Sequence, residues 1–194
     1  ARIQREAEDA VRGGCTHVIL SDKAISSTRA AIPMILATGA VHSYLVRQQL
    51  RTFTSINVRT GECLDTHYFC VLIGVGATTV NAYLAQEAIA DRHARGLFGD
   101  KSLDACVGAY RKAIQDGILK VMSKMGISVL SSYRGGYNFE SVGLSRSLVA
   151  RFFPGMSSRI SGLGLPGIQK KALEQHRKAF DETVVTLPVG GLYR

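Results

Sequence analysis

The chain has 194 residues, 46% of them apolar, with a net charge of +9 and four cysteines; this suits one globular domain, or two small ones. The cations are scattered from Arg2 through Arg51 and onward, with Lys170 and Lys171 the only tight lysine pair, so they lack the one-sided footprint of a nucleic-acid binder. The apolar run around Ile32 to Val41 is broken by Pro33, Thr38 and Gly39 and is too short to span a bilayer; ARIQREAEDAVRGG has no signal-peptide core, and a cytosolic setting is expected.

Residues 2–12 predict a helix stopped by Gly13 and Gly14. His17 to Leu20 reads as a buried strand with Ser21 and Asp22 at its end. Pro33 opens a helix to about Gln49, with Met34, Leu36, Ala37, Val41, Tyr44 and Leu45 available for burial. Thr52 to Arg59 alternates as a second strand and leads into a Thr-Gly-Glu turn. Phe69 to Ile73 is expected as a third strand, and Gly74-Val75-Gly76-Ala77 as a turn into a helix from Thr78 to about Arg95. Ser102 caps a long helix in which Ala113, Ile114, Ile118 and Val121 recur at helical spacing until Gly126. Ile127 to Ser131 reads as a fourth strand, followed by helices near 136–142, 145–153 and 166–180 and a loop to the end. Alternating strands and helices argue for an α/β fold with a parallel sheet. Four strands cannot close an eight-stranded barrel, which needs ~250 residues.

Two strand-to-helix turns are candidate ligand sites. At Gly74 and Gly76, free N–H groups at a helix start would favour an anion, although Gly-x-Gly alone equally signals a tight turn. Tyr133, Arg134, Gly135 and Gly136 add a guanidinium suited to a carboxylate or phosphate. The other reading of Arg134 is an ion pair with an adjoining domain. His17, His42, His67, His93 and His176 make no metal pair, and His42 reads as a hydrogen-bonded core histidine on an apolar helix. Cys15, Cys63, Cys70 and Cys106 have no zinc spacing and read as reduced structural thiols beside apolar segments. The residues thus name no catalytic group and no metal ligand. On these turns alone, the chain could be a stand-alone α/β module for an anionic metabolite or a flavin phosphate.

KVMSKMGIS followed by SYRGG and FESVGLS resembles the central domain of the glutamate synthase large subunit. HVILSD, IPMILATGAVHSYL, RTFTSINVRTGE and HYFCVLIGVGATTVNAYLAQEAI precede it in the family's order, and SRISGLGL and LPVGGLYR follow. The departures are Tyr68 for a His, Val75 for a Tyr and Ala82 for a Pro. The resemblance implies a partial TIM-barrel-like domain of parallel β/α units. Residues 1–153 would be the C-terminal half of the central domain, and 154–194 a helical connection toward the FMN-binding domain. It implies a segment of an oxidoreductase that makes L-glutamate from glutamine-derived ammonia and 2-oxoglutarate. In the full-length enzyme FMN and a 3Fe-4S cluster take part, with NADPH acting through a small subunit. The implied partners are the amidotransferase and FMN domains of the same polypeptide and that small subunit, with no nucleic acid and no membrane. The segment itself would be scaffold between those domains and an ammonia-tunnel wall, inactive alone. Ser123, Lys124 and Gly126 echo a flavin-touching strand of the FMN domain, which makes them cofactor-binding candidates beside Tyr133, Arg134, Gly135, Gly74 and Gly76. The amidotransferase's nucleophilic N-terminal Cys and the cluster cysteines have no counterpart here.

Overall fold

A computed structural model of the chain describes residues 2–183; the closing LPVGGLYR lies outside them. Helix α1 (Arg2–Arg12) leads into strand β1 (His17–Ser21), then α2 (Met34–Arg47) and β2 (Ser55–Arg59). Helix α3 (Thr66–Gly74) precedes the short β3 (Thr79–Asn81), which is followed by α4 (Tyr83–Ala94) and the long α5 (Leu103–Lys124). Then come α6 (Leu130–Tyr133), β4 (Glu140–Leu144), α7 (Arg146–Phe152), β5 (Ser157–Leu163) and α8 (Leu165–Ala179). The strands form a three-stranded parallel sheet in the order β1-β2-β3 and a separate parallel pair, β4-β5. This is the expected α/β class of partial β/α units. Among the described residues no barrel closes.

The helices begin and end where local chemistry dictates. Asp65 and Ser102 accept the N–H groups of Tyr68 and Ala105 at the starts of α3 and α5, each satisfying one orphan donor of a first turn. At the end of α3 the Gly76 N–H bonds Ile73 O at 3.0 Å, and the Ala77 N–H bonds Leu72 O at 2.9 Å. That paired return needs a left-handed residue, and Gly76 supplies it at φ +120°. Gly14 and Gly126 close α1 and α5 with the same pair of bonds.

The main core lies between the three-stranded sheet and its helices. Val18 of β1 and Ile56 and Val58 of β2 meet Val41 and Leu45 of α2 and Leu72 of α3. Each such buried side chain contributes about 1.5–3 kcal/mol. Helices α1 and α2 are tied by Tyr44 Oη donating to Glu8 Oε2 at 2.5 Å and by Gln4 Nε2 donating to Ala40 O at 3.0 Å. A second cluster joins Ala40 and Val75 to Leu148, Val149, Phe152 and Phe153 of α7 and its end. A third joins Cys70, Ile73 and Tyr133 to Met122 of α5. In α5, Ile114 is buried and Ile118 and Val121 are half-buried as expected, while Ala113 faces solvent.

Several local expectations are corrected. Phe69 to Ile73 is helix α3, not a strand. Its apolar run is buried between the sheet and α5, and a short run packed on several sides carries no period to separate helix from strand. The third strand is instead Thr79–Asn81, where a helix was expected to begin. Ile127 to Ser131 forms no strand: Val129 and Leu130 are exposed, and the backbone turns into α6. Residues 140–142, expected within a helix, belong to β4. Its partner β5 went unread because SRISGLG, with two glycines, has weak strand propensity. The second strand starts at Ser55, because Arg51–Phe53 makes a 3-10 turn first. Cys15 is exposed, contrary to its reading as a small hydrophobe, whereas Cys63, Cys70 and Cys106 are buried.

Candidate functional site

The C-terminal edge of a parallel sheet is where ligands ordinarily gather. Here it holds Asp22 after β1, Thr60, Gly61 and Glu62 after β2, and Tyr83 after β3. Asp22 is buried, and its carboxylate accepts the Thr60 hydroxyl at 2.6 Å and the Gly61 N–H at 3.0 Å. Thr60 Oγ1 in turn accepts the Glu62 N–H at 3.1 Å. The Glu62 carboxylate accepts the Met34 N–H at 2.9 Å and the Tyr68 hydroxyl. A negative group at the N-terminus of α2 is favoured by the unsatisfied N–H groups there. Burial first, and then the bond to Glu62, pushes the Tyr68 phenol up. Over the same edge Lys23 Nζ and Arg59 Cζ sit 5.4 and 5.7 Å from the centre of the Tyr83 ring, and Lys23 reaches Glu87 at 3.6 Å. The buried Asp22 carboxylate is therefore committed to the Gly61 N–H and the Thr60 hydroxyl, while the exposed Glu62 is tied through Oε2 alone. Their chemistry is to fasten three loops together.

A second polar group occupies the opposite edge, where β2 and β3 begin. Arg51 Nε donates to His42 Nδ1 at 3.0 Å, one Nη to Thr54 O at 2.5 Å, and the other to Gly76 O at 2.9 Å and Thr78 Oγ1 at 3.2 Å. His42 is thereby the hydrogen-bonded histidine of an apolar helix that the sequence suggests, with its remaining proton on Nε2. Burial first, then the charges of Arg51 and Arg134, lower its pKa to about 4. The ring is held between two glycines. A Cβ at Gly76 would meet His42 Cγ at 2.3 Å, and one at Gly135 would meet Nε2 at 2.9 Å. Tyr137 packs edge-on to His42, with ring centroids 6.1 Å apart, and burial lifts its phenol to about 12.

Five of the eight candidate residues lie in the two glycine turns, and two of these reach this histidine. Gly76 and Gly135 touch it. Gly74 is buried beneath Phe139, where a Cβ would come within 2.1 Å of the ring. Tyr133 is fully buried, and Arg134 is exposed beside Gly135. Ser123, Lys124 and Gly126 stand elsewhere, on the exposed last turn of α5. The geometry expected of the two glycine turns is not present. Gly74 ends a helix rather than preceding one, and the N–H groups of Val75, Gly76, Ala77 and Thr78 bond Val71, Ile73, Leu72 and Ile56 carbonyls. The Arg134, Gly135 and Gly136 N–H groups bond Leu130, Ile73 and Tyr133 carbonyls. These turns do not offer a flavin phosphate the free amides it needs. Nor do the cysteines suit an iron–sulfur cluster: among the described residues no three metal-ligating side chains come together. No described helix is long and apolar enough to cross a membrane.

From sequence, Asp22 stands at the end of the first strand and Glu62 in a Thr-Gly-Glu turn, neither with an assigned role, and Arg51 is one of the scattered cations. Their positions, one residue beyond β1 and three beyond β2, could have marked the two acids. Arg51 gave no signal, because its partners at Gly76 and Thr78 reach it only through the fold.

Comparison with known proteins places these observations in a lineage. The family model described as "Glutamate synthase central domain" matches residues 1–145. The NADPH-dependent glutamate synthase large chain of Azospirillum brasilense is 72% identical over 193 residues, covering all of this chain and 13% of that protein. The corresponding large chain of Bacillus subtilis is 42% identical over 91% of this chain and 12% of its own length. The ferredoxin-dependent, chloroplastic glutamate synthase of Spinacia oleracea is 38% identical, covering 93% of this chain and 12% of its own. The chain thus spans only about an eighth of the relatives it matches.

Proposed function

This chain belongs to the glutamate synthase central-domain family, and from that premise we propose that it serves as scaffold within a glutamate synthase large chain. The longer protein would form L-glutamate from 2-oxoglutarate and glutamine-derived ammonia, with FMN, a 3Fe-4S cluster and a reduced nicotinamide or ferredoxin supplying electrons. Those groups would be held by other parts of the large chain or by a small subunit. Residues 1–153 would complete the central domain, and 154–194 would lead to the FMN-binding domain. A cytosolic setting, or a plastid one as in the chloroplastic relatives, belongs to the same reading.

The observation that carries it is the commitment of Asp22 and Glu62. At the edge where a barrel enzyme would present free carboxylates, these two hold β1, β2, α2 and α3 in register. The main core cluster, with Met34, Val58 and Cys63, packs beside them, and two further clusters stiffen the rest of the fold, so that the segment offers rigid walls. A passage for ammonia needs such walls, because close packing keeps out the bulk water that would protonate the cargo.

The test is Asp22→Asn in the full-length large chain. Replacing the carboxylate sets amide hydrogens against the Gly61 N–H and leaves buried donors short of an acceptor, which costs about 1–3 kcal/mol. A scaffold predicts a lower Tm with kcat per folded molecule near wild type. Unchanged Tm with kcat lost would make Asp22 a reacting group and refute the reading. The rival reading, a stand-alone module for a flavin phosphate, would be supported instead by saturable FMN binding to this chain alone.

A further inference from the structure

Among the described residues strand β1 pairs with β2 alone, so its other side is open. In a parallel ladder both backbone groups of one residue point to the same side, and successive residues alternate. The Thr16 carbonyl accepts the Ser55 N–H at 2.8 Å, and the Asp22 N–H donates to Arg59 O at 3.3 Å. The even-numbered residues therefore face β2, and the N–H and C=O groups of His17, Ile19 and Ser21 point out of the sheet. Natural edges are blunted by short strands, lysine, proline or bulges. The β3 edge is blunted by its length of three residues. HVILS has five, contains no lysine or proline, and holds an unbroken register with β2.

The space beside the open edge has the form of a strand site. A groove of about 520 Å³ runs along it, lined by all five residues of β1, by Ile3, Ala7 and Ala10 of α1, and by the loop after β1. Helix α2 joins β1 to β2 and α3 joins β2 to β3. Both pack on the face to which Val18, Ile56 and Val58 point. Helix α1 packs on that same face through Ala7 and Val11, and is tied to α2. It stands to β1 as α2 stands to β2. With right-handed crossovers, the strand that feeds α1 lies on the open side of β1, as β1 lies on that side of β2.

We propose that the open edge of β1 receives a parallel strand from the segment of the longer large chain that leads into α1. The chemistry required is extended backbone that answers the N–H and C=O groups of His17, Ile19 and Ser21. Every second side chain should be apolar, to meet Ile3 and Ala7 of α1. The relatives have chain enough to supply it, since this segment is 13% of the Azospirillum brasilense protein. The proposal rests on the reading of the chain as part of such a protein. It can fail alone, because the Asp22→Asn test reads only the β1–β2 side of the sheet.

The experiment is amide hydrogen exchange on the full-length large chain, resolved to single residues by electron-transfer fragmentation. The Val18 and Leu20 amides, which face β2, set the scale. The Ile19 and Ser21 amides should be protected to within about tenfold of them. Exchange of Ile19 and Ser21 at the rate of free peptide would leave the edge bare and overturn the proposal. Ile19→Pro then identifies the occupant, since proline at this position removes only an edge-facing N–H. In that variant the segment leading into α1 should lose protection while Val18 and Leu20 keep theirs. Loss in a different segment instead, or none outside β1, would overturn the assigned source. Wild-type protection of Ile19 that rises with protein concentration would give the edge to a second copy and overturn it as well.

Discussion

Acid should loosen this fold at one identifiable point. In the folded chain His42 has a pKa of about 4 against an ordinary 6.5, so the unfolded chain takes up its proton first. The stability this group contributes is whole above pH 6.5 and is lost as the pH falls from 6.5 toward 4. Protonation at Nδ1 would also set an N–H against the Nε–H of Arg51, which now donates to that atom at 3.0 Å. The drop from 6.5 to about 4 corresponds to about 3 kcal/mol in the acid limit and to about 2.5 kcal/mol at pH 4.5. The solvent-facing part of the ring is screened, which leaves about 2 kcal/mol. The perturbation is His42→Asn, because the Asn amide oxygen can accept from Arg51 as Nδ1 does and cannot titrate. Urea unfolding of both proteins at pH 7.5 and pH 4.5 gives the difference directly. Glu8, whose pKa is lowered by its bond from Tyr44 and by Arg12, is common to both proteins and drops out. Wild type should lose about 2 kcal/mol more than His42→Asn on acidification, or roughly 4–8 °C in Tm. Equal losses in the two proteins would refute the argument that His42 is held neutral by burial and the two arginines.

Native thiol titration should label Cys15 quickly and Cys63, Cys70 and Cys106 only on unfolding. Burial lifts the Cys63 thiol to about 12, and the other two are buried as well; rapid labelling of more than one thiol would contradict the packing. Gly74→Ala should destabilise the fold by about 1–3 kcal/mol in chemical denaturation, because the new methyl would stand 2.1 Å from Phe139; an unchanged midpoint would place that ring elsewhere. The chain alone should form no glutamate from glutamine, 2-oxoglutarate and a reductant, and measurable turnover would overturn the scaffold reading.

What could be read in the sequence is what local chemistry decides. The long helix that begins after Ser102 and stops at Gly126 was legible because a cap and a left-handed turn are short-range signals. The strand from His17 was legible because a β-branched run followed a glycine stop. Phe69 to Ile73 was not, because burial on several sides erases the period that separates helix from strand. Tyr133 to Gly135 was read as the end of a strand because Ile127 to Leu130 has strand composition. Among the described residues that run pairs with no strand: the Ile127 N–H closes α5 on Met122 O, and Val129 and Leu130 are exposed. At the candidate sites, His42 could be read from an imidazole on an apolar helix face. Its partner could not, since Arg51 meets Gly76 and Thr78 only after α3 has folded back to bring β3 alongside β2.

In the main sheet, spatial order follows chain order: β2 lies beside β1 and β3 beside β2. Each strand therefore meets an edge already laid down by the segment synthesised before it, from His17 opposite Ser55 to Asn57 opposite Thr79. Such a sheet can be assembled vectorially, one unit at a time, with each ordering step closing only the loop of its own crossover. In a polypeptide several times longer than this segment, a stretch that can settle as it emerges from the ribosome spends less time as exposed, unpaired strand. That shortens the window in which two nascent copies could pair by mistake.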